Sequence, residues 1–277
     1  MNLQDETKRI LRAHGIVPRK RLGQSFLIDR DSLQRMVFYA SLGKKDTVFE
    51  VGAGLGFLTE LLAEKAGKVI AVEVDSRLIQ ILKERLRDRT NVTLVEGDVL
   101  RLNVQGFEKV VSTPPYSISS PLLFWLLERK YELAVLAFQE EFAKRLAAPV
   151  GSGDYGRLTV AMYCRAEVEL LDLIPKDRFW PSPDVDSRII RLKPKRLPFP
   201  IDNESFFSEV VRAIFTQKNK KLRNAIMPFL SKYGVPKTEA LRLTDALPFH
   251  SRRPRELAPE EIGLVANEAA KILRQKP

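Results

Sequence analysis

The stretch Thr47-Val48-Phe49-Glu50-Val51-Gly52-Ala53-Gly54-Leu55-Gly56 constrains the chain more than any other. An apolar run of β-forming residues ends in an acid and then in three glycines at alternating positions. Leu58 to Lys65 follows with helical spacing. The order is strand, tight glycine loop, helix, which opens a nucleotide-binding α/β domain. Glycine serves in such a loop because it has no Cβ, so the backbone can turn sharply and lie against a ligand. The helix behind it offers free N–H groups.

The dinucleotide fingerprint spaces its glycines G-x-G-x-x-G. Here they stand at Gly52, Gly54 and Gly56, with Glu50 inside the strand end. That Glu-x-Gly-x-Gly-x-Gly form resembles S-adenosylmethionine (SAM) methyltransferases, which place a ribose and a methionine moiety at the loop instead of a pyrophosphate. The neighbouring segments agree. Lys68 to Asp75 is a continuous apolar run, as a buried parallel strand should be. It closes on acids about 20 residues past the loop, where a ribose-binding carboxylate belongs, and Glu73 is the candidate. Asn91 to Val95 is a third strand closed by Glu96-Gly97-Asp98. Three strands thus carry acids near their C-terminal ends, the side on which open α/β sheets bind ligands.

A fourth strand, Phe107 to Ser112, runs directly into Thr113-Pro114-Pro115-Tyr116. Two prolines beside an aromatic make a rigid turn. A polar residue, a backbone carbonyl and an aromatic in one short turn suit methylation of an exocyclic amine on a flat base. The lone pair of that nitrogen is delocalised into the ring, and acceptors on its two N–H bonds favour a pyramidal nitrogen. Thr113 and the carbonyl of Pro114 are the candidate acceptors, and Tyr116 can stack on the base. A base within a nucleic acid must be extruded to reach such a pocket, and Phe179 with Tyr116 would form the two faces of a clamp.

Asp5 to Ala13 is helical, and Pro18 to Asp29 is extended and carries Arg19, Lys20 and Arg21. Asp31 is expected to cap a helix from Ser32 to Tyr39. Further helices are expected at 77–87, 121–129, 140–147 and 157–164, and strands at 131–139, 166–174 and 187–192, the last two as antiparallel partners. A Pro-rich basic stretch, Lys195 to Pro200, marks a linker. It divides a first domain, residues 1–194, from a second, residues 195–277, whose amphipathic helices are expected at 206–216, 222–230, 238–244 and 259–273. The fold class is α/β, a Rossmann-like sheet with a smaller all-α C-terminal domain.

Composition narrows the chemistry. One cysteine, Cys164, excludes an internal disulfide and a cysteine-based zinc site. Two histidines make no histidine-rich metal centre, so no metal is expected. No apolar run approaches the ~18 residues that span a bilayer. The formal net charge is +11 and the pI about 9.7, an excess that attracts polyanions through counterion release. It is uneven: from Lys195 onward Lys and Arg outnumber Asp and Glu 16 to 9, against 30 to 26 before it.

Taken together, the motifs resemble the small-subunit ribosomal RNA adenine dimethyltransferases, nearer their archaeal and eukaryotic branch. The similar segments are Arg19 to Leu27, the glycine loop, Glu73, Glu96-Gly97-Asp98, Phe179 to Ser187 and Phe215 to Asn224. The resemblance implies transfer of two methyl groups from SAM to N6 of each of two adjacent adenosines near the 3′ end of small-subunit rRNA, with a role in ribosome biogenesis. It implies cofactor contacts at Gln24, Ser25, Leu27, Gly52, Gly54, Glu73, Asp98 and Thr113. Glu73 would hold the ribose hydroxyls and Asp98 the adenine amine. Arg19, Lys20, Arg21, Lys218, Lys220, Lys221 and Arg223 would contact RNA. A cytoplasmic monomer acting on immature small subunits is expected.

Two positions depart from the family pattern: Thr113 stands where Asn is usual, and Ser25 where Asn or His is usual. The alternative reading follows from Thr113, whose hydroxyl is shorter than an Asn amide. It is an rRNA-binding assembly factor that binds SAM but methylates weakly or only once. A DNA adenine methyltransferase is a third reading, disfavoured by the lack of a sequence-reading domain.

Overall fold

A computed structural model describes residues 2–274, the side chains of residues 20 and 237 excepted. The chain divides into two compact units, Met1–Ala143 with Glu167–Pro194, and Lys144–Ala166 with Lys195–Pro277.

The first unit is built on a seven-stranded sheet. Its strands are β2 (Thr47–Val51), β3 (Lys68–Glu73), β4 (Val92–Glu96), β5 (Lys109–Ser112), β6 (Leu133–Gln139), β7 (Ala166–Ile174) and β9 (Ser187–Pro194), in the order β4-β3-β2-β5-β6-β9-β7. The pairs among β4, β3, β2, β5 and β6 are parallel, and β9 runs antiparallel to β6. Helices α3 (Phe57–Lys65), α4 (Ser76–Arg85) and α5 (Ser119–Leu127) supply the connections that parallel strands need. Covered on both faces, the central strands are apolar throughout: Val48, Phe49, Val69, Ala71, Val110, Val111, Val135 and Leu136 are all buried.

A small ribbon lies apart from this sheet. β1 (Phe26–Leu27) pairs antiparallel with β8 (Phe179–Trp180), Phe26 opposite Trp180 and Leu27 opposite Phe179. Two residues per strand leave no periodicity, so neither was legible as a strand. Helix α1 spans Leu3–Ala13, and α2 spans Arg30–Tyr39. The cap of α2 is Asp29, not the expected Asp31. Asp29 has the extended backbone a cap requires, and its carboxylate accepts from Ser32 N at 3.0 Å.

The second unit is helical. It contains α7 (Arg157–Arg165), α8 (Glu204–Phe215), α9 (Leu222–Lys232), α10 (Lys237–Asp245) and α11 (Pro259–Arg274), while α6 (Glu140–Leu146) spans the change of unit. Its core joins Val210 and Ile214 of α8, Ile226 and Leu230 of α9 and Val265 and Ala269 of α11 with Val160 and Cys164 of α7. This packing corrects the expected division. Residues 144–166 belong with the second unit because α7 buries its apolar face there, and Tyr155 donates its hydroxyl to Leu257 O at 2.8 Å. No described helix is long and apolar enough to cross a membrane.

In the first unit the registers bring strand ends level. Val51 lies opposite Val72, and Glu73 opposite Glu96. Phe49 faces Val110, so two residues further on Ser112 reaches Val51, and its buried hydroxyl donates to Val51 O at 2.5 Å. Gly52 and Thr113 therefore leave the sheet side by side. Ser112→Ala removes this tie and is expected to lower the unfolding free energy by about 1–2 kcal/mol. Urea unfolding checks this, and a change under about 0.3 kcal/mol would show that the bond contributes nothing net.

Candidate functional site

One cleft over these strand ends gathers the glycine loop, the end of β3, the turn after β5 and the segment Leu22 to Leu27. Gly52 and Gly54 have positive φ, 75° and 59°, which side chains resist. Space forbids a side chain as well. A Cβ on Gly52 would meet Pro115 Cδ at 3.2 Å, and one on Gly54 would meet the Phe26 ring at 3.2 Å.

Glu73 closes β3 and is 6% exposed. Its Oε2 accepts from Gly54 N at 2.9 Å, and its Oε1 accepts from Val74 N and Asp75 N, each at 2.9 Å. Burial raises its pKa, the three N–H donors oppose that, and the neighbouring Asp75 charge adds to the rise. Glu50, 2% exposed, also lines the cleft, and its Oε2 has no hydrogen-bond partner among the described residues. Burial pushes its pKa up to about 8, reinforced by Glu73. Three donors serve one carboxylate and no backbone donor serves the other. The protein's donors thus favour the charged form at Glu73 more than at Glu50.

The turn after β5 presents Thr113, Pro114 and Tyr116 to the same cleft. The Thr113 hydroxyl has no partner among the described residues, so it is available as an acceptor. The hydroxyls of Tyr116 and Ser187 share a hydrogen bond at 2.5 Å, and burial raises the Tyr116 pKa. Phe179 is buried in the core and also borders the cleft.

Of the residues read from the sequence as a site, Gln24, Ser25, Leu27, Gly52, Gly54, Glu73, Thr113, Pro114, Tyr116 and Phe179 all line this cleft. Asp98 does not. It follows β4, accepts from Leu100 N at 3.0 Å and lies 3.5 Å from Arg101, while Gly97 N donates to Glu73 O at 2.9 Å. Two predicted ligands use their side chains on the protein. Ser25 Oγ donates to Pro181 O at 2.6 Å, and the Gln24 amide bonds Arg19 N and Asp75. Sequence reasoning missed Asp75, Pro115, Ser187 and the placement of Glu50 on the cleft wall. Asp75 and Glu50 are visible as acids beside motif residues, but their partners come from distant segments.

The predicted RNA contacts divide. Arg21 is exposed, and Lys20 has a side chain outside the described residues. In the second unit Lys220 and Lys221 are exposed. Lys218 Nζ instead donates to Gly153 O at 2.7 Å and Tyr155 O at 3.3 Å, and Arg223 pairs with Asp245 at 3.2 Å.

The cleft fits a nucleoside-bearing cofactor. A buried carboxylate at a strand end offers two oxygens to a diol, the loop beside it has no side chains at its glycines, and a second acid keeps an unpartnered oxygen. On a largely parallel sheet, such a cleft defines the Rossmann-like methyltransferase class. The family model described as ribosomal RNA adenine dimethylase matches residues 17–248. A probable ribosomal RNA small subunit methyltransferase A from Methanosarcina acetivorans is 44% identical over 88% of this chain and 91% of its own. A dimethyladenosine transferase from Plasmodium falciparum superposes with a TM-score of 0.75 at 29% identity, covering 87% of this chain and 95% of that one. The 23S rRNA methyltransferase ErmE gives a TM-score of 0.63 at 29% identity, covering 88% and 99%. This chain belongs to the ribosomal RNA adenine dimethylase family.

Glu50 sets a pH dependence. Its pKa of 4.5 in the unfolded chain rises to about 8 on folding, so between those values the folded protein holds the extra proton. Its contribution to stability is full below pH ~4.5 and is lost as pH rises through about 8, by about 1.4 kcal/mol per pH unit. Glu50→Gln is neutral at every pH. Relative to wild type, it is expected to lose about 2 kcal/mol less unfolding free energy between pH 6 and 8. Equal slopes in chemical denaturation would show Glu50 ionised in the folded state.

Proposed function

We propose that this protein transfers methyl groups from SAM to N6 of two adjacent adenosines near the 3′ end of small-subunit rRNA, dimethylating each. Its substrate is the immature small subunit, on which it acts as a cytoplasmic monomer. The observation that carries this reading is that Gly54, Glu73 and Tyr116 open onto one cleft.

SAM, when bound, supplies an electrophilic methyl group. The chain's own residues position the reactants. Glu73, held rigid by three N–H groups, receives the ribose hydroxyls. Gly52 and Gly54 let the backbone approach. Asp98, outside the cleft at the end of β4, would receive the cofactor's adenine amine. On the acceptor side the Thr113 hydroxyl and the Pro114 carbonyl would take the two N6–H bonds and so orient the amine. Tyr116, fixed by Ser187, stacks on the extruded base opposite Phe179. A general base is not needed before attack, because the amine loses its proton only once it has become cationic.

The reading as an assembly factor with weak turnover, drawn from Thr113, has no support. The family and its relatives are described as methylases and methyltransferases. Thr113 keeps an oxygen acceptor at the position, which is the part of Asn that the mechanism uses.

Labelled SAM with immature small subunits, followed by mass spectrometry of the nucleosides, is expected to yield N6,N6-dimethyladenosine. Absence of methyl transfer to adenine would remove the enzymatic reading. Tyr116→Ala is expected to lower kcat/KM for RNA by about 10- to 100-fold, for a stacking contribution of about 1–3 kcal/mol. SAM affinity should stay unchanged, as equilibrium dialysis can check. Replacing Lys220 and Lys221 by Gln is expected to reduce the slope of log K against log salt by about 1–2 for RNA binding. An unaltered slope would make them a solvated face.

A further inference from the structure

The segment from Arg19 to Leu27 crosses the cleft as a strap. Leu22 through Leu27 contribute six consecutive lining residues. The strap packs on both halves of the site: a Cβ on Gly23 would meet Pro115 at 3.2 Å, and Phe26 lies against Gly54. The space left beneath it is about 70 Å³, far below the ~300 Å³ of the smallest ligand pockets. The strap therefore borders the space a nucleoside would occupy.

The strap is tied by the β1–β8 pairing, by Ser25 on Pro181 O, and by the Gln24 amide, which alone of the three reaches the end of β3. Gln24 Oε1 accepts from Arg19 N at 2.7 Å, which closes the strap on itself, and Gln24 Nε2 donates to Asp75 Oδ2 at 2.8 Å. Asp75 is a firm anchor. Its side chain is 1% exposed, and Arg77 grips it through Nε at 2.9 Å and Nη2 at 2.5 Å. Its backbone N–H in turn donates to Glu73. The anchor of the strap and the carboxylate assigned to the ribose are thus two residues apart on one rigid strand end. A carboxylate acceptor makes this a charge-assisted bond, stronger than a neutral pair.

We propose that Gln24 is a positioning residue that latches the strap onto Asp75 and so sets how long the cofactor is retained. Gln24 does not itself bind the cofactor through its side chain, since both ends of its amide are engaged by the protein. The inference rests on the SAM reading given above and adds to it a latch outside the cofactor's own contacts.

Two variants test it. Gln24→Met keeps the length and packing of the side chain but breaks both bonds. Gln24→Glu still accepts from Arg19 N but sets a second carboxylate against Asp75. Labelled SAM is bound to wild type and each variant, then chased with unlabelled SAM, and the dissociation rate is read by filter binding. Thermal unfolding is followed in parallel. Gln24→Met is expected to release SAM about tenfold faster, equivalent to about 1.4 kcal/mol, and Gln24→Glu faster still. In both, kcat at saturating SAM should stay within about twofold and the KM for SAM should rise. Wild-type release rates in both folded variants, or a fall in kcat with KM unchanged, would overturn the latch while leaving the cofactor reading intact. Wild-type protein that retains no SAM would overturn both.

Discussion

The site depends on the carboxylate of Glu73 being buried and immobile at the end of β3. Burial disfavours its charged form, and three backbone N–H groups, from Gly54, Val74 and Asp75, oppose that. Those donors are available because the glycine loop after β2 and the turn after β3 both bend toward the same point, and the parallel register of β2 and β3 places them there. The neighbouring Glu50 has no such donors, and burial pushes its pKa up to about 8. A positioning enzyme needs such fixed groups, because little of its rate comes from covalent participation.

The other half of the cleft is set by mechanical means. Ser112 ties β5 to β2 through the Val51 carbonyl. The Pro-Pro turn then leaves the sheet in a fixed direction and seats Pro115 against Gly52. Tyr116 is oriented from outside the turn by Ser187, at the start of β9. The strap through Gln24 and Ser25 reaches the far side, bonded to Asp75 and Pro181. Four segments widely separated in the chain thus meet over one strand end. Bonds between segments, more than bonds within them, give the cleft its shape.

Much of this was legible because it is local. The glycine loop, the acids at strand ends and the Pro-Pro-Tyr turn are read from neighbours in the chain, and each ends a strand whose apolar run is continuous. Helix periodicity located α8, α9 and α11 for the same reason. What was misjudged is non-local. The cap of α2 shifted from Asp31 to Asp29 because backbone conformation at the preceding turn decides it. Residues 144–166 moved to the helical unit because the apolar face of α7 finds its partners in α8 and α11, which composition cannot show. The partners of Lys218 and Arg223, carbonyls of Gly153 and Tyr155 and the carboxylate of Asp245, are likewise invisible in the basic run that carries them.

The amino-acid sequence by itself determined the alternation of strand and helix, the chemistry offered at each strand end and the family to which the chain belongs. These follow from spacing and residue type, which act over a few residues. Only the tertiary structure decided that Gly54, Glu73 and Tyr116 share one cleft, that Glu50 is buried beside Glu73, and that the Gln24 amide bridges Arg19 and Asp75. Each of these depends on which distant groups exclude water from, or donate hydrogen bonds to, a given atom. Burial and partnering of that kind arise only when the chain has closed on itself.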